Sequence, residues 1–358
     1  MELTAEQARA VRMRSLLLTP HVRRPDVAGV VEWFGAMQAQ DMASGLWSLG
    51  VRLPGVTAAG VTEALERREA IRTWPMRGTV HLVPPRDAHW MLDLMGVRAL
   101  AGAAKRRETL GLSEKTAERA VEVLGAALRG RRCTRAECLA ALREGGIEVS
   151  GQLGYHLLWY ASQRGVTCIA PHIGKEQTFV LLDEWVPDPA TPTRDEALAL
   201  IAHRYFRSHG PATRLDLARW TGLTVTDAKK GIALAGAGLT TVTVDGVEML
   251  ADPAVLDQAP AHLDDWAALP GFDEYMLGYK DRDLLLTPEQ FAAVVPGGNG
   301  IFRPTLVERG RVVATWSRPA GKKIVTVKPF ADLDRARAEA ALRPYAHFVG
   351  SPLQVAFE

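Results

Sequence analysis

The feature that most constrains the fold is a unit of short helices followed by two strands, which recurs along the chain. In its clearest copy, helices are predicted at 213–220 and 226–234, with a break at Thr221-Gly222-Leu223 between them. Alternating residues at 241–250 surround Asp245-Gly246, a pair typical of a tight hairpin turn. Helix, turn, helix and hairpin together make the plan of a winged-helix domain.

Two earlier segments repeat this unit. The first predicts helices at 5–17, 26–37 and 61–68, followed by strand-like residues at 71–82. The second predicts helices at 114–128, 134–144 and 155–164, followed by apolar runs at 166–170 and 178–182 with turn residues between them. Tandem copies of one supersecondary unit can together form a binding surface. The three copies therefore favour a DNA-binding protein.

Changes in composition suggest where these units end. Residues 186–192 are rich in proline and link the second unit to the third, and composition shifts again at 258–260. Beyond that shift, strands are predicted at 306–308, 311–315 and 323–327, and a helix at 333–342. We therefore predict an α+β fold of three tandem winged-helix modules around a DNA-binding channel, at 1–110, 111–186 and 193–258, with a C-terminal β-rich, mixed α/β segment at 259–358.

Composition limits the class of protein. Hydrophobic residues make up 47% of the chain and charged residues 23%, which is typical of a soluble globular protein, and no aliphatic run could cross a bilayer. The first twenty residues lack the pattern of a signal peptide, so we expect a cytoplasmic protein and a monomer without membrane contact. The net charge is only +2, yet nine basic residues against three acidic ones lie between Arg67 and Arg107, and a second basic cluster spans 129–135.

Common catalytic motifs are missing from the sequence. No H-E-x-x-H, Walker loop, nucleophile elbow or G-x-G-x-x-G occurs, so we predict neither a metal site nor a cofactor. Cys133, Cys138 and Cys168 could form a zinc site with His172, but their spacing does not match structural zinc. We favour buried, structural cysteines. Tyr155, Trp159 and Tyr160 have helical spacing and are expected in the core, and no chemistry is assigned to His203 or His209.

The segment Met37-Gln38-Ala39-Gln40-Asp41 places two carboxamides two residues apart where a predicted helix ends. A polar helix end whose glutamines bind backbone carbonyls or water would account for the same residues. Asp41 follows the second glutamine directly, and it could instead cap the next helix. The residues alone leave these alternatives open.

Five segments in one order carry a resemblance: MQAQD at 37–41, RTWPMRGTVHLVP at 72–84, FRSHGPAT at 206–213, LPGFDEYMLGYKDR at 269–282 and GIFRPTLVERGRVVATW at 300–316. On the basis of these five segments, nearly the whole chain resembles the tandem winged-helix family that includes the AlkZ-like and YcaQ-like DNA glycosylases. These glycosylases carry a catalytic Q-x-Q or Q-x-D motif after an early helix. The resemblance implies catalytic roles for Gln38 and Gln40.

The implied substrate is double-stranded DNA damaged by alkylation. Alkylation at guanine N7 or adenine N3 puts positive charge on the base, so the base leaves as a neutral group without a general acid. Two amides then need only position a water and stabilise the oxocarbenium-like sugar. We therefore expect a monofunctional DNA glycosylase for cationic lesions, and the resemblance implies bulky adducts and azinomycin-type interstrand crosslinks as well.

Candidate DNA contacts are basic residues near the predicted strands and turns: Arg72, Arg77, His81, Lys280, Arg282, Arg303, Arg309 and Arg311. Arg309 and Arg311 flank the turn of a hairpin that could enter a groove or be an ordinary sheet edge. Core packing is the alternative for Arg72, Arg77 and His81. For Lys280 and Arg282 the alternative is ion pairing, and Asp273 and Glu274 are expected in such pairs.

A transcription regulator without catalytic activity is the main rival function. Such a regulator needs a recognition helix rich in side chains that read bases, whereas 226–234 offers only Lys229 and Lys230, which suit phosphates better. A non-catalytic scaffold is a third possibility.

Overall fold

The computed structural model describes residues 1–19, 24–257 and 265–358. The predicted boundary at 258–260 lies outside these residues. The helices are α1 (Ala5–Ser15), α2 (Val27–Phe34), α3 (Met42–Gly50), α4 (Ala58–Glu66), α5 (Ala88–Met91), α6 (Val97–Thr109), α7 (Glu114–Ala127), α8 (Arg135–Glu144), α9 (Leu153–Gln163), α10 (Leu182–Trp185), α11 (Arg194–His209), α12 (Arg214–Thr221), α13 (Val225–Ala235), α14 (Pro253–Leu256), α15 (Glu274–Leu277), α16 (Pro288–Val294) and α17 (Arg335–Phe348).

The strands are β1 (Glu2–Leu3), β2 (Met37–Gln38), β3 (Ile71–Met76), β4 (Thr79–Val83), β5 (Cys133–Thr134), β6 (Thr167–Ile173), β7 (Glu176–Leu181), β8 (Thr240–Val244), β9 (Val247–Ala251), β10 (Trp266–Leu269), β11 (Thr305–Glu308), β12 (Arg311–Ser317), β13 (Ile324–Pro329) and β14 (Gln354–Phe357). Single 3₁₀ turns cover Pro85–Asp87, Gly236–Gly238 and Pro296–Gly298, and a π-helical turn at Leu92–Gly96 joins α5 to α6. The fold is thus a mixture of α and β structure.

Two compact units make up the chain. The terminal unit combines Met1–Val61 with Leu198–Glu358, and the central unit is Thr62–Ala197. The terminal unit therefore joins both ends of the chain. The division into three winged-helix modules and a C-terminal segment stays a prediction.

Antiparallel strands form the sheet of the central unit. Its strands follow the order β4-β3-β6-β7-β5. The β3–β4 hairpin turns at Arg77 and Gly78, whose φ angles are +55° and +70°. Helices α7, α8 and α9 contribute Leu124, Leu142 and Leu157 to the buried core beside this sheet. Burial of this apolar surface is the main stabilising contribution in the unit.

The terminal unit contains two sheets. In one, β1 pairs in parallel with β8, and β8 pairs with β9 around the Asp245-Gly246 turn. The other sheet has the order β10-β11-β12-β13-β14. Helix α17 packs on β10 and α3, where the Trp47 ring lies 5.1 Å from Tyr345 and 5.0 Å from Phe348 between ring centroids. Residues close to the two ends of the chain therefore share one core.

Two helices end several residues away from the predicted positions. The helix predicted at 26–37 ends at Phe34, because Gly35 follows with a φ of +79°, a left-handed conformation that favours glycine. The helix predicted at 333–342 runs on through Pro344 to Phe348. Helices α3 and α6 were not predicted.

The three cysteines are buried free thiols, as predicted. Burial raises the pKa of the Cys138 thiol to about 12, which makes this thiol unreactive at neutral pH. Within the described parts of the chain, no cluster of His, Cys, Asp or Glu side chains could hold a metal ion. No helix among the same residues has both the length and the apolar character needed to span a bilayer.

Candidate active site

The two glutamines lie in the segment between α2 and α3, on either side of Ala39. Burial alternates along it: Met37 and Ala39 are 0% and 2% exposed, whereas Gln38 is half-buried and Gln40 is exposed. Strand geometry covers Met37–Gln38 and the backbone bends at Gln40, so the two carboxamides are related by this alternation of burial and not by a continuous strand. The predicted pair therefore lies between two helices and is not the end of one.

Asp41 begins the next helix. Its Oδ1 accepts a hydrogen bond of 2.8 Å from the backbone N–H of Ser44, which makes Asp41 the N-cap of α3. The capping role that the sequence suggested for Asp41 is therefore observed. Asp41 directly links the motif to a helix whose first turn it stabilises.

Helix α3 approaches the motif closely because residue 45 is glycine. A Cβ built on Gly45 would lie 2.8 Å from the Cβ of Ala39 and 3.1 Å from its Cα. Both distances are shorter than the ordinary contact of two carbon atoms. Gly45 therefore allows the helix to pack against the residue between the two glutamines.

A buried carboxylate holds the backbone of the motif from the other side. Glu274 is 1% exposed, and its Oε1 accepts a hydrogen bond of 2.8 Å from the backbone N–H of Gln38. Its Oε2 accepts from Trp220 Nε1 at 2.8 Å and lies 3.4 Å from His209 Nε2. Nδ1 of this imidazole lies 2.8 Å from the hydroxyl of Ser208. Such a charge is tolerated in a core because donors surround it.

Asp273, the residue before Glu274, connects this region to α3 and the residues that follow it through hydrogen bonds. Asp273 receives two hydrogen bonds from the Arg52 guanidinium, at 2.8 and 2.9 Å, and one from Ser48 Oγ at 3.1 Å. It also caps α15 by accepting from the backbone N–H of Tyr275 at 2.9 Å. Asp273 thus has a buried ionic partner, as expected, but this partner is Arg52 rather than Lys280 or Arg282, and Glu274 has polar partners in Trp220 and His209.

This arrangement determines which groups are available for chemistry. Both oxygens of Glu274 are occupied and the residue is inaccessible, so it cannot act as a general base on a substrate. Asp41 is exposed but bound to the first turn of α3. Of the described groups in and beside the motif, the two carboxamides remain, which accept or donate hydrogen bonds and do not take a proton at neutral pH.

The candidate DNA contacts of the terminal unit differ in exposure. The side chains of Lys280, Arg303, Arg309 and Arg311 are exposed. Arg282 donates from Nε to the Met276 carbonyl at 2.7 Å, and its guanidinium lies 5.1 Å from the ring centroid of Phe291. Burial, followed by the nearby Arg219, lowers the pKa of Arg282 to about 10. Arg282 therefore has a structural role in the loop after α15, and a DNA contact by this residue stays a prediction.

The hairpin between β11 and β12 is held firmly at its turn. Arg309 and Gly310 have φ angles of +48° and +71°, and the Arg309 N–H donates to the Asp265 carbonyl at 3.1 Å. The hydroxyl of Tyr275 donates to the carbonyl of Gly310. A Cβ on Gly310 would meet the side chain of Arg9 at 2.7 Å. The turn backbone is thus packed, and the two arginine side chains project from a rigid base.

In the central unit, Arg72 and His81 are 4% and 0% exposed. His81 Nδ1 lies 2.9 Å from the Thr79 carbonyl and its Nε2 lies 3.2 Å from Nη2 of Arg77. Arg72 Nη1 lies 3.4 Å from Nε2 of His172. Burial leaves Arg72 and His81 little surface for a phosphate, so Arg77 is the strongest candidate of the three, and a DNA contact by any of them stays a prediction.

Comparison with known proteins shows to which family this chain belongs. The family model described as "DNA glycosylase AlkZ-like" matches residues 31–348, so the chain belongs to the AlkZ-like DNA glycosylase family. The protein is a DNA glycosylase that acts in DNA repair. This identification confirms the predicted family and argues against a non-catalytic regulator or scaffold.

Two relatives from Streptomyces sahachiroi support the assignment. One, an interstrand DNA cross-link repair glycosylase, is 28% identical over 365 residues and the match covers 97% of this chain and 96% of that protein. The solved structure of the DNA glycosylase AlkZ is 26% identical, covers 100% of both chains and has a TM-score of 0.84. The fold is therefore shared along the full length.

Sequence reasoning missed the residues that position the motif. Glu274 was considered only as an ion-pair partner, and no chemistry was assigned to His209. The available signal was the adjacent pair of acids in FDEY within a strongly apolar stretch, which is unusual unless both carboxylates are paired.

Proposed function

We propose that this chain is a monofunctional glycosylase that hydrolyses the N-glycosidic bond of cationic N7-alkylguanine and N3-alkyladenine lesions in double-stranded DNA. Bulky adducts and azinomycin-type interstrand crosslinks are included in the proposed substrates. The observation that carries this proposal is the geometry of Gln38 and Gln40. Both side chains are accessible on either side of the buried Ala39, next to a carboxylate that caps a helix.

The chemistry follows from what an amide can do. A carboxamide oxygen accepts a hydrogen bond from a water molecule and directs its dipole toward the positive charge that develops on the sugar. It cannot remove a proton from that water. The proposed site therefore positions the nucleophile and stabilises an oxocarbenium-like transition state, as in glycoside hydrolysis without a strong base.

Substrate selectivity follows from the same limitation. A base that carries positive charge leaves as a neutral molecule, so its departure requires no general acid. An unmodified guanine would leave as an anion, and the two amides provide no proton for it. We therefore expect excision of cationic lesions and no excision of normal bases.

DNA binding is proposed for three winged-helix modules around a channel. In the terminal unit, α12 and α13 are followed by the β8–β9 hairpin, which is the helix-turn-helix and wing arrangement. In the central unit, α7, α8 and α9 precede the β6–β7 hairpin. The exposed Lys280, Arg303, Arg309 and Arg311, together with Arg77, would bind phosphates and position the duplex.

The proposed crosslink activity has support from one relative. A protein 28% identical to this chain is named as an interstrand DNA cross-link repair glycosylase. A site that includes the exposed Gln40 is also compatible with bulky lesions, because such lesions do not fit a tight pocket for an extruded base.

A base-release experiment tests the proposed function. Duplexes that contain N7-methylguanine, a bulky N7-guanine adduct or an N7-linked interstrand crosslink are each incubated with excess protein, and free base and abasic sites are quantified. Unmodified guanine and uracil serve as neutral controls. We expect release of the cationic bases only. Equal release of uracil, or no release of any N7-alkylated base, would contradict the proposal.

A further inference from the structure

The central unit contains a cavity that the proposed excision chemistry does not use. Its volume is about 700 Å³, and its walls come from α6, the start of α9 and the β3–β4 turn. This volume is within the range of small-molecule binding sites. Every residue that lines the cavity belongs to the described central unit, so the cavity can be considered on its own.

The charged side chains that line the cavity are all basic. Arg77, Arg106 and Arg135 line it, and the described lining residues include no carboxylate. Arg106 donates to the side-chain oxygen of Gln152, which holds the guanidinium at the cavity wall. Arg135 lies 5.8 Å from the ring centroid of Tyr155, and no carboxylate of the described chain pairs with it. Arg106 and Arg135 have no carboxylate partner among the described residues, and such guanidinium groups attract an anion, phosphate in particular.

Aromatic side chains form another part of the wall. Tyr155, Trp159 and Tyr160 were all expected in the core, and burial confirms this for Trp159 and Tyr160. Tyr155 differs, since its side chain is 40% exposed and lines the cavity. An exposed aromatic ring beside an arginine provides a surface on which a planar ring can stack.

A buried polar atom in the same wall lacks a partner. His156 is only 7% exposed, and its Nε2 has no hydrogen-bond partner among the described residues. Burial, followed by Arg107 and Arg106, lowers the pKa of His156, so the imidazole is neutral at pH 7. Its ring lies 5.4 Å from that of Trp159. A buried, unsatisfied nitrogen is costly unless a ligand or water completes it.

We propose that this cavity binds a nucleotide. The arginines would hold its phosphate, Tyr155 would stack on its base, and His156 would complete a hydrogen bond to its polar edge. The ligand is either a free nucleotide or one nucleotide of a DNA strand, because both present the same chemistry. This site goes beyond the proposed excision activity, and its occupation does not depend on Gln38 or Gln40.

Gly102 provides a test that leaves the fold intact. It lies on α6 in the cavity wall, and a Cβ built on it meets no heavy atom within 4 Å. A Gly102→Phe substitution therefore meets no obstacle at its Cβ and places a large ring at the cavity wall, and it replaces a poor helix former by a better one. Ala101→Phe, at the neighbouring exposed position outside the cavity wall, is the matched control.

The measurement is calorimetric titration of the full chain with deoxyguanosine monophosphate. Deoxyguanosine, inorganic phosphate and a short single-stranded oligonucleotide are titrated in parallel. We expect the nucleotide to bind more tightly than the nucleoside or phosphate, and Gly102→Phe to weaken it about tenfold or more, as loss of a base stack would. Ala101→Phe and Gln38→Ala should leave the affinity unchanged.

A pair of charge substitutions tests the phosphate separately. Arg106→Glu should weaken nucleotide binding, whereas Lys105→Glu, an equal change of charge on an exposed neighbour outside the cavity, should change it much less. If the oligonucleotide binds more tightly than the mononucleotide and loses affinity in Gly102→Phe, the ligand is a nucleotide of a DNA strand. Tighter mononucleotide binding identifies a free nucleotide.

Absence of nucleotide binding, or binding that survives Gly102→Phe unchanged, would overturn the proposal. Neither result depends on base excision, because Gln38→Ala is expected to slow excision about tenfold or more and to retain nucleotide binding. Failure of this inference is therefore distinguishable from failure of the proposed glycosylase activity.

Discussion

The backbone N–H of Gln38 donates a hydrogen bond of 2.8 Å to Oε1 of Glu274, a residue 236 positions later in the chain. The other oxygen of this carboxylate is held by Trp220 and His209 inside the core. The position of the glutamine motif is therefore set by a buried charge in another part of the terminal unit. Positioning residues of this kind matter because small displacements of a reacting group are costly in rate.

Replacement of the carboxylate by an amide tests this relationship. Glu274→Gln keeps the shape but places an NH₂ group against existing donors, so we expect the free energy of unfolding to fall by about 1–3 kcal/mol, as for buried hydrogen-bonding groups left unsatisfied. Excision of N7-methylguanine by the folded protein should fall by about tenfold or more. Denaturant unfolding and single-turnover kinetics measure the two effects. Glu248→Gln, an exposed change on β9, is the control, and loss of stability with full excision would contradict a positioning role.

Close packing of α3 on the motif leads to a second prediction. In Gly45→Ala, the new methyl group would overlap Ala39, so either the helix or the motif must shift. We expect about 1–3 kcal/mol of lost stability, typical of an overpacked site, together with slower excision. Gly125→Ala on α7 is the matched control, because its Cβ would lie 3.9 Å from Val166, an ordinary contact. Equal behaviour of the two variants would argue against close packing as the determinant of motif geometry.

The role of Asp41 can be separated into capping and catalysis. Serine is also a good N-cap but has no carboxylate, so Asp41→Ser should retain excision within a few-fold of wild type. Asp41→Ala loses the cap and should cost about 1 kcal/mol of stability. Thermal unfolding and single-turnover excision of N7-methylguanine distinguish the variants. If Asp41→Ser loses activity as severely as the glutamine variants, the carboxylate takes part in catalysis.

Exposed arginines at the β11–β12 turn are expected to bind the DNA backbone. Arg309→Ala and Arg311→Ala should each weaken duplex binding for all sequences, and each should reduce the slope of log K against log salt by about 1. Fluorescence anisotropy over a series of salt concentrations measures both effects. Arg343→Ala on the exposed surface of α17 is the control. An unchanged slope in both turn variants would remove this hairpin from the DNA interface.

The sequence predicted the helix-turn-helix at 213–234 and the hairpin at 241–250 closely, because capping residues and an Asp-Gly turn are local signals. Helix α12 ends at Thr221 before Gly222, whose φ is +75°, and α13 begins at Val225 after the Thr224 cap. Short helices such as α3 were missed, since their formation depends on packing. Local sequence patterns therefore predict the helices and hairpins whose first and last residues are marked by capping or turn residues.

The candidate site was only partly predictable for a similar reason. Gln38 and Gln40 were recognised from a motif, but their accessibility depends on the helix end at Gly35 and on the burial of Met37 and Ala39. The hydrogen bond to Glu274 joins residues that no local pattern connects. Burial of Arg72 and His81 likewise results from sheet pairing, for example Arg72 opposite Ile169, and not from their own sequence context.

The most direct measurement of the central claim is single-turnover release of N7-methylguanine from duplex DNA by Gln38→Ala and Gln40→Ala. Loss of an amide that polarises the transition state should slow excision by about tenfold or more in each variant. Duplex binding measured by anisotropy should stay within a few-fold of wild type, because neither side chain neutralises a phosphate. Excision at the wild-type rate in both variants would contradict the proposal that the two carboxamides form the active site.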